Sequence, residues 1–88
     1  MTNQRSSAEL TATIRRVLGE HGRLSRDATL IATEADLYQL GLTSHASVNI
    51  MLALEGEFEV EFPDYLLTRS MFASIDALAA ALTPLLTE

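Results

Sequence analysis

Eighty-eight residues suffice for one compact domain with a modest core and are too few for a deep cleft between two lobes. The formal charge is −6, and all six basic residues are arginines, five of them before residue 27; nucleic-acid binding needs a surface of the opposite sign. An apolar fraction of 48% argues against disorder, the longest apolar run, near Ile50 to Leu54, is too short to cross a bilayer, and the absence of cysteine removes disulfides, a thiolate nucleophile and cysteine zinc sites.

The first stretch, MTNQRSSAELTATIRR, lacks the apolar core of a secretion signal, so a cytoplasmic location is expected. Residues 1–5 are polar and expected to fray. Ser6 and Glu9 then stand at capping-box spacing ahead of Leu10, Ile14, Val17 and Leu18, which share one face at the helical period. Gly22 lies just past the expected end of this helix, where a left-handed cap suits glycine.

From Arg23 to Thr43 the pattern is irregular, and Leu24, Leu30, Ile31, Leu37 and Leu40 read as anchors pinning a long loop onto the core. A short helical turn is allowed there, capped by Thr33 with Asp36 three residues on and ended by Gly41. Thr43 is a good N-cap for a second helix over Ser44 to Phe58. Its apolar band, Val48, Ile50, Met51, Leu52, Leu54 and Phe58, is wide enough to predict burial on more than one side.

The alternation EFEVE at 57–61 fits a strand on pattern alone, but no second strand is available to pair with it, so the strand is rejected. Pro63 and Asp64 suit the start of a short third helix over Tyr65 to Thr68. Ser74 caps a last helix with Ile75, Leu78, Ala79 and Leu82 inward, and Pro84 is expected to end or bend it. Neither an internal repeat nor a low-complexity tract is present.

The segment Gly41 to Glu55, GLTSHASVNIMLALE, resembles the acyl and peptidyl carrier protein family. That family has Leu-Gly before an Asp-Ser-Leu motif at the start of the second helix, an apolar helix ending in Ala-Leu-Glu, then an acidic stretch, a Phe and a Pro. Here Leu40 and Gly41 match the lead-in, Ser44 the modified serine, and Ala53, Leu54, Glu55, Phe58 and Pro63 follow in order. Phe72, Ser74, Ile75, Leu78 and Ala79 resemble the opening of the last helix of peptidyl carriers, so the similarity runs from about residue 37 to 82.

Two positions depart from the pattern. Thr43 stands where the family has Asp, and His45 where it has Leu, which points away from a fatty-acid role. The string Thr-Ser-His-Ala-Ser-Val-Asn is similar to stand-alone bacterial aminoacyl carrier proteins, which are charged by amino acid ligases resembling seryl-tRNA synthetases.

The resemblance implies an all-α fold of acyl-carrier type: a small four-helix bundle with a long loop between helices one and two and a short third helix, spanning residues 1–88 as a single carrier domain. It implies covalent 4'-phosphopantetheine on Ser44, holding an aminoacyl or acyl group as a thioester. The expected partners are a phosphopantetheinyl transferase and an amino acid:carrier protein ligase, or another loading enzyme. Thr43, His45, Ser47, Val48, Asn49, Met51 and Glu55 would form the partner surface, and a monomer is expected because the arm must visit several active sites. Such a carrier is not an enzyme and needs no catalytic residue and no metal.

The residues themselves suit that chemistry. A serine in the first turn of a helix is exposed, and the aligned amides there favour an anionic phosphate on its oxygen. The arm would import the thiol that the chain lacks. The carboxylates Glu55, Glu57, Glu59, Glu61 and Asp64 would steer the carrier onto basic enzyme surfaces.

Other readings stand beside this one. Taken alone, Ser44 is an ordinary helix-start serine, His21 a helix-end dipole partner, Met51 a core residue and the acidic stretch a solvated face. An unmodified helical adaptor of the same fold would bind partners through helix two with Ser44 dispensable. A small hydrolase is disfavoured: adjacent helical residues point about 100° apart, so His45 is badly placed to take the Ser44 proton, and no nucleophile-elbow glycines flank the serine.

Overall fold

The structure is a computed structural model that describes residues 7–86. Three α-helices form it: α1, Ser7–His21; α2, Ser44–Phe58; and α3, Ile75–Leu86. Three short 3-10 turns lie between them, Ala28–Leu30, Asp64–Leu66 and Arg69–Phe72, and no strand occurs among the described residues. No helix there is long and apolar enough to cross a membrane.

The predicted face of α1 is the buried one: Leu10, Ile14, Val17 and Leu18 enter a core completed by Leu37, Ile50, Leu54, Ile75, Leu78 and Leu82. α1 packs against both α2 and α3, which makes it the central helix. The expected Ser6 cap and the fraying of residues 1–5 fall outside the described residues.

At the end of α1 the left-handed residue is Arg23, φ 52°, and not the expected Gly22. Gly22 is needed for a different reason. Its amide bonds to the Leu18 carbonyl at 2.8 Å, and a Cβ there would stand 2.7 Å from that oxygen.

The long loop is stitched down by more than its leucines. The Arg15 guanidinium donates through one nitrogen to the carbonyls of Ala28 (2.8 Å) and Ile31 (2.6 Å). Backbone bonds from Ser25 to Leu40 (2.9 Å), Leu37 to Ala73 (2.7 Å) and Asp76 to Thr33 (2.9 Å) tie the loop to itself and to the approach to α3. Ile31 and Leu37 are buried anchors as predicted, and Leu24 and Leu40 are half-buried, whereas Leu30 is 70% exposed. The turn that closes on the core there is capped by Asp27, which accepts from the Thr29 amide, and it is Ala28 that this turn buries.

No helix starts at Thr33. The single turn over 37–41 does end at Gly41, φ 105°, where the Leu42 amide reaches the Leu37 carbonyl (3.1 Å) and the Gly41 amide the Tyr38 carbonyl (3.2 Å). This reversal hands the chain to α2 through buried Leu42, and it needs the left-handed region that glycine enters freely.

α2 runs between the predicted limits, but it is buried along one stripe only, Ala46, Ser47, Ile50, Leu54 and Phe58. Val48 and Leu52, four residues apart on the same face, are 50% and 56% exposed. The wide apolar band therefore reflects a helix with an uncovered apolar strip rather than one buried on two sides. After Glu59, in the left-handed conformation, the chain continues without a strand.

The short third helix expected over Tyr65 to Thr68 is instead a 3-10 turn, Asp64–Leu66, and a second such turn, Arg69–Phe72, follows beyond its expected end. Between them Thr68 is extended (φ −119°, ψ 163°), and its hydroxyl accepts from the Met71 amide, starting the second turn. α3 is capped by Ser74, whose Oγ accepts from the Ala77 amide at 3.0 Å. It does not end at Pro84 but continues to Leu86, and half-buried Leu85 and Leu86 pack on the core, which offsets the bond that proline cannot donate.

Candidate functional site

Ser44 is the first residue of α2 and is exposed. Thr43 sets its position: its extended backbone (φ −104°, ψ 163°) turns the chain into the helix, and its Oγ1 accepts from the Ala46 amide at 3.0 Å. Ser47 closes the same turn from inside, its amide (2.9 Å) and its Oγ (3.0 Å) both donating to the Thr43 carbonyl. The outward position predicted for Ser47 is thus wrong: it is buried, and it holds Thr43 and hence the serine in place. Substituting Thr for the family's Asp keeps the cap and removes a charge.

A groove of about 390 Å³ opens beside the serine. Ser44 and Ser47 line it from α2, Tyr38 from the long loop, and Leu67, Thr68, Arg69 and Phe72 from the segment before α3. Two contacts weld its far wall. The Arg69 guanidinium lies over the Tyr38 ring, 3.8 Å from its centroid, and the Tyr38 hydroxyl donates to the Arg69 carbonyl at 2.8 Å. Sequence reasoning missed Tyr38, Thr68 and Arg69, and nothing in their local pattern marks a pair 31 residues apart.

The other predicted residues divide between surfaces. Thr43, His45 and Asn49 line a second hollow of about 300 Å³, together with His21 and Arg23 from the end of α1. Val48 is on the exposed strip of α2, and Met51 is half-buried against the core. Glu55 is half-buried too: its Oε2 accepts from the Phe62 amide at 2.9 Å, which ties the chain after α2 back onto the helix.

Of the acids beyond Glu55, Glu57 is paired with Arg16 at 2.6 Å. This contact, with Glu20 behind it, raises the pKa of the Arg16 guanidinium, chiefly through its hydrogen bond to Glu57. Glu59, Glu61 and Asp64 are exposed. Ser44 opens to the first groove and His45 to the second hollow, and no hydrogen bond joins them, so they do not form a nucleophile–base pair. Among the described residues no group of three or more His, Cys, Asp and Glu is placed to hold a metal ion.

The site suits a covalent phosphodiester. The serine is accessible, it opens a helix of 15 residues whose N-terminal amides favour negative charge, and no acidic residue stands in the first turn to repel a phosphate.

The family model for the phosphopantetheine attachment site matches residues 8–82. An aminoacyl carrier protein of Agrobacterium fabrum (strain C58 / ATCC 33970) is 52% identical over 69 residues, which cover 78% of this chain and 83% of that protein. A crystal structure of an engineered Bradyrhizobium japonicum glycine:[carrier protein] ligase complexed with carrier protein from Agrobacterium tumefaciens and ATP contains a chain similar to this one. The TM-score is 0.82 at 48% identity, over 85% of this chain and 97% of that one. A crystal structure of the Bradyrhizobium japonicum ligase with glycylated carrier protein matches at TM-score 0.71 and 30% identity, over 83% and 97% of the two chains.

Proposed function

We propose, since this chain belongs to the phosphopantetheine attachment-site family, that it is an aminoacyl carrier whose Ser44 holds the 4'-phosphopantetheine arm. The observation that carries the reading is the exposed Ser44 at the start of α2 on the rim of the groove, within the segment that the family model matches. The bound arm supplies the thiol that takes an aminoacyl group as a thioester.

This chain's own residues position the serine and do no bond-making on the cargo. Thr43 and Ser47 fix the turn, the start of α2 accommodates the phosphodiester, and the groove walled by Tyr38 and Arg69 lies where the arm leaves the protein. The two 3-10 turns before α3 do the work of the short third helix in the four-helix description of the fold, and the whole chain acts as one carrier domain. It works in the cytoplasm as a monomer, modified by a phosphopantetheinyl transferase and loaded by an amino acid:carrier protein ligase like those seen with its relatives.

The test is loading of the holo protein by a glycine:carrier protein ligase with ATP and labelled glycine. The expected product is a label on the protein that hydroxylamine releases, absent from the apo form and from Ser44→Ala. Equal labelling of the apo form would overturn the reading.

A further inference from the structure

Of the five arginines among the described residues, three are engaged and two, Arg23 and Arg26, are exposed without a side-chain partner there. Arg15 bonds to two loop carbonyls, Arg16 is paired with Glu57, and Arg69 is stacked on Tyr38. Among the described residues the Arg23 side chain has neither an ion-pair nor a hydrogen-bond partner, and Arg23, in the left-handed conformation, lines a separate hollow with Arg26 and Asp27 as well as the hollow beside the start of α2. Both histidines of the chain line that hollow with it, along with Asn49 and Thr43, and no carboxylate does. Guanidinium, imidazole, amide and hydroxyl groups can all donate to an oxyanion. The α2 terminus adds its own positive end, and the first turn holds His45 where helices favour acids.

Among the described residues one carboxylate approaches these donors, that of Glu20, whose Oε1 stands 3.8 Å from His21 Nε2 and is shared with Arg16 at 3.4 Å; in a chain of net charge −6 the hollow therefore keeps a local excess of donors over anions. At the other end of α2 the sign reverses: Glu59, Glu61 and Asp64 are exposed. A helix of 15 residues spans about 22 Å at 1.5 Å per residue. Screening acts over about 8 Å at physiological ionic strength, so a partner senses the two ends separately.

Resting on the carrier reading above, we infer that the hollow formed by His21, Arg23, His45 and Asn49 receives a carboxylate side chain from the ligase that loads the arm. The ligase would then present an acidic group beside the entrance for the arm and a basic group roughly 22 Å away, the length of α2. A docking surface of two signs fixes which way round the carrier sits, which a uniformly acidic helix does not. The carrier's own phosphodiester is the less suitable occupant, because Ser44 lines the neighbouring groove and not this hollow.

The experiment measures kcat and KM for loading of holo wild type, Arg23→Glu, Arg23→Gln and Glu61→Lys, at low and at physiological salt. Arg23 is exposed and already left-handed, and neither replacement is worse suited to that backbone, so circular dichroism should be unchanged. Arg23→Glu is expected to raise KM about tenfold with kcat within about twofold, Arg23→Gln less, and the difference should shrink with salt. Glu61→Lys is also expected to raise KM.

A KM that falls or stays unchanged in Arg23→Glu would overturn the inference. So would an unchanged KM with a shifted phosphodiester phosphorus resonance in Arg23→Gln, which would give the hollow to the arm. Loading of the wild type reads the carrier function independently, so the two can fail separately.

Discussion

Arg15→Met keeps most of the length and apolar stem of the side chain while removing the two bonds that hold the long loop onto α1. Both carbonyls, those of Ala28 and Ile31, are bound by the same nitrogen, at 2.8 and 2.6 Å in a half-buried setting. Hydrogen bonds from a charged donor contribute about 1.5–3 kcal/mol each. The freed carbonyls can recruit water and the two bonds share one nitrogen, so each is taken at or just below the bottom of that range, and the pair together is worth about 2–3 kcal/mol. In a domain of this size each kcal/mol moves the melting temperature by about 4–8 °C.

Urea unfolding followed by circular dichroism should therefore show a loss of about 2–3 kcal/mol at an unchanged slope, with Tm lower by about 10 °C or more. Native-state hydrogen exchange should localise the effect, with the amides of Leu30 and Ile31, which close the 3-10 turn, exchanging faster than those of α2. A loss under about 0.5 kcal/mol, the scale of an ordinary surface contact, would refute the claim that Arg15 tethers the loop.

Leu54→Ala removes a side chain with no exposure and should cost about 2–5 kcal/mol in denaturant unfolding. Gly22→Ala should cost about 1–3 kcal/mol, because its Cβ meets a helix carbonyl that cannot yield as a side chain would. Glu59→Gly should stabilise by about 1 kcal/mol, since the residue closing α2 has φ 55° and glycine enters that region without the Cβ penalty.

The pKa of the Asp27 carboxyl is lowered from 3.8 by its bonds from the Thr29 amide and hydroxyl. Its folded pKa lies below its unfolded one, so its contribution is complete above the unfolded value and is lost as pH falls through the folded one. The stability difference between wild type and Asp27→Ala should accordingly be level near neutrality and close as pH drops below about 4, measured by urea midpoints across pH.

What was legible in the sequence is what local patterns determine. The limits of α2 follow from a Thr cap and a helical apolar period, the inner face of α1 from four spaced aliphatics, and the start of α3 from Ser74. Ser44 stood out because the motif around it spans one continuous segment. Composition and period do not say which apolar face finds a partner within the chain, so the wide band of α2 predicts burial on more than one side, whereas nothing among the described residues fully covers Leu52 or Val48, the latter also a member of the expected partner surface.

The remaining misses are long-range or competitive. Tyr38 and Arg69 meet only because the loop and the segment before α3 are drawn together by Leu37 and Ala73. Ser47 has the polarity of a surface residue and is turned inward by the Thr43 carbonyl. Thr68, the expected last residue of the third helix, is extended and caps the Arg69–Phe72 turn that follows, its hydroxyl taking the Met71 amide.

The measurement that bears most directly on the central claim is the intact mass of wild type and Ser44→Ala after incubation with coenzyme A, magnesium and a broad-specificity phosphopantetheinyl transferase. The account predicts a gain of one phosphopantetheine in the wild type and none in the variant. No gain in a wild type shown to be folded, or an equal gain in Ser44→Ala, would contradict it.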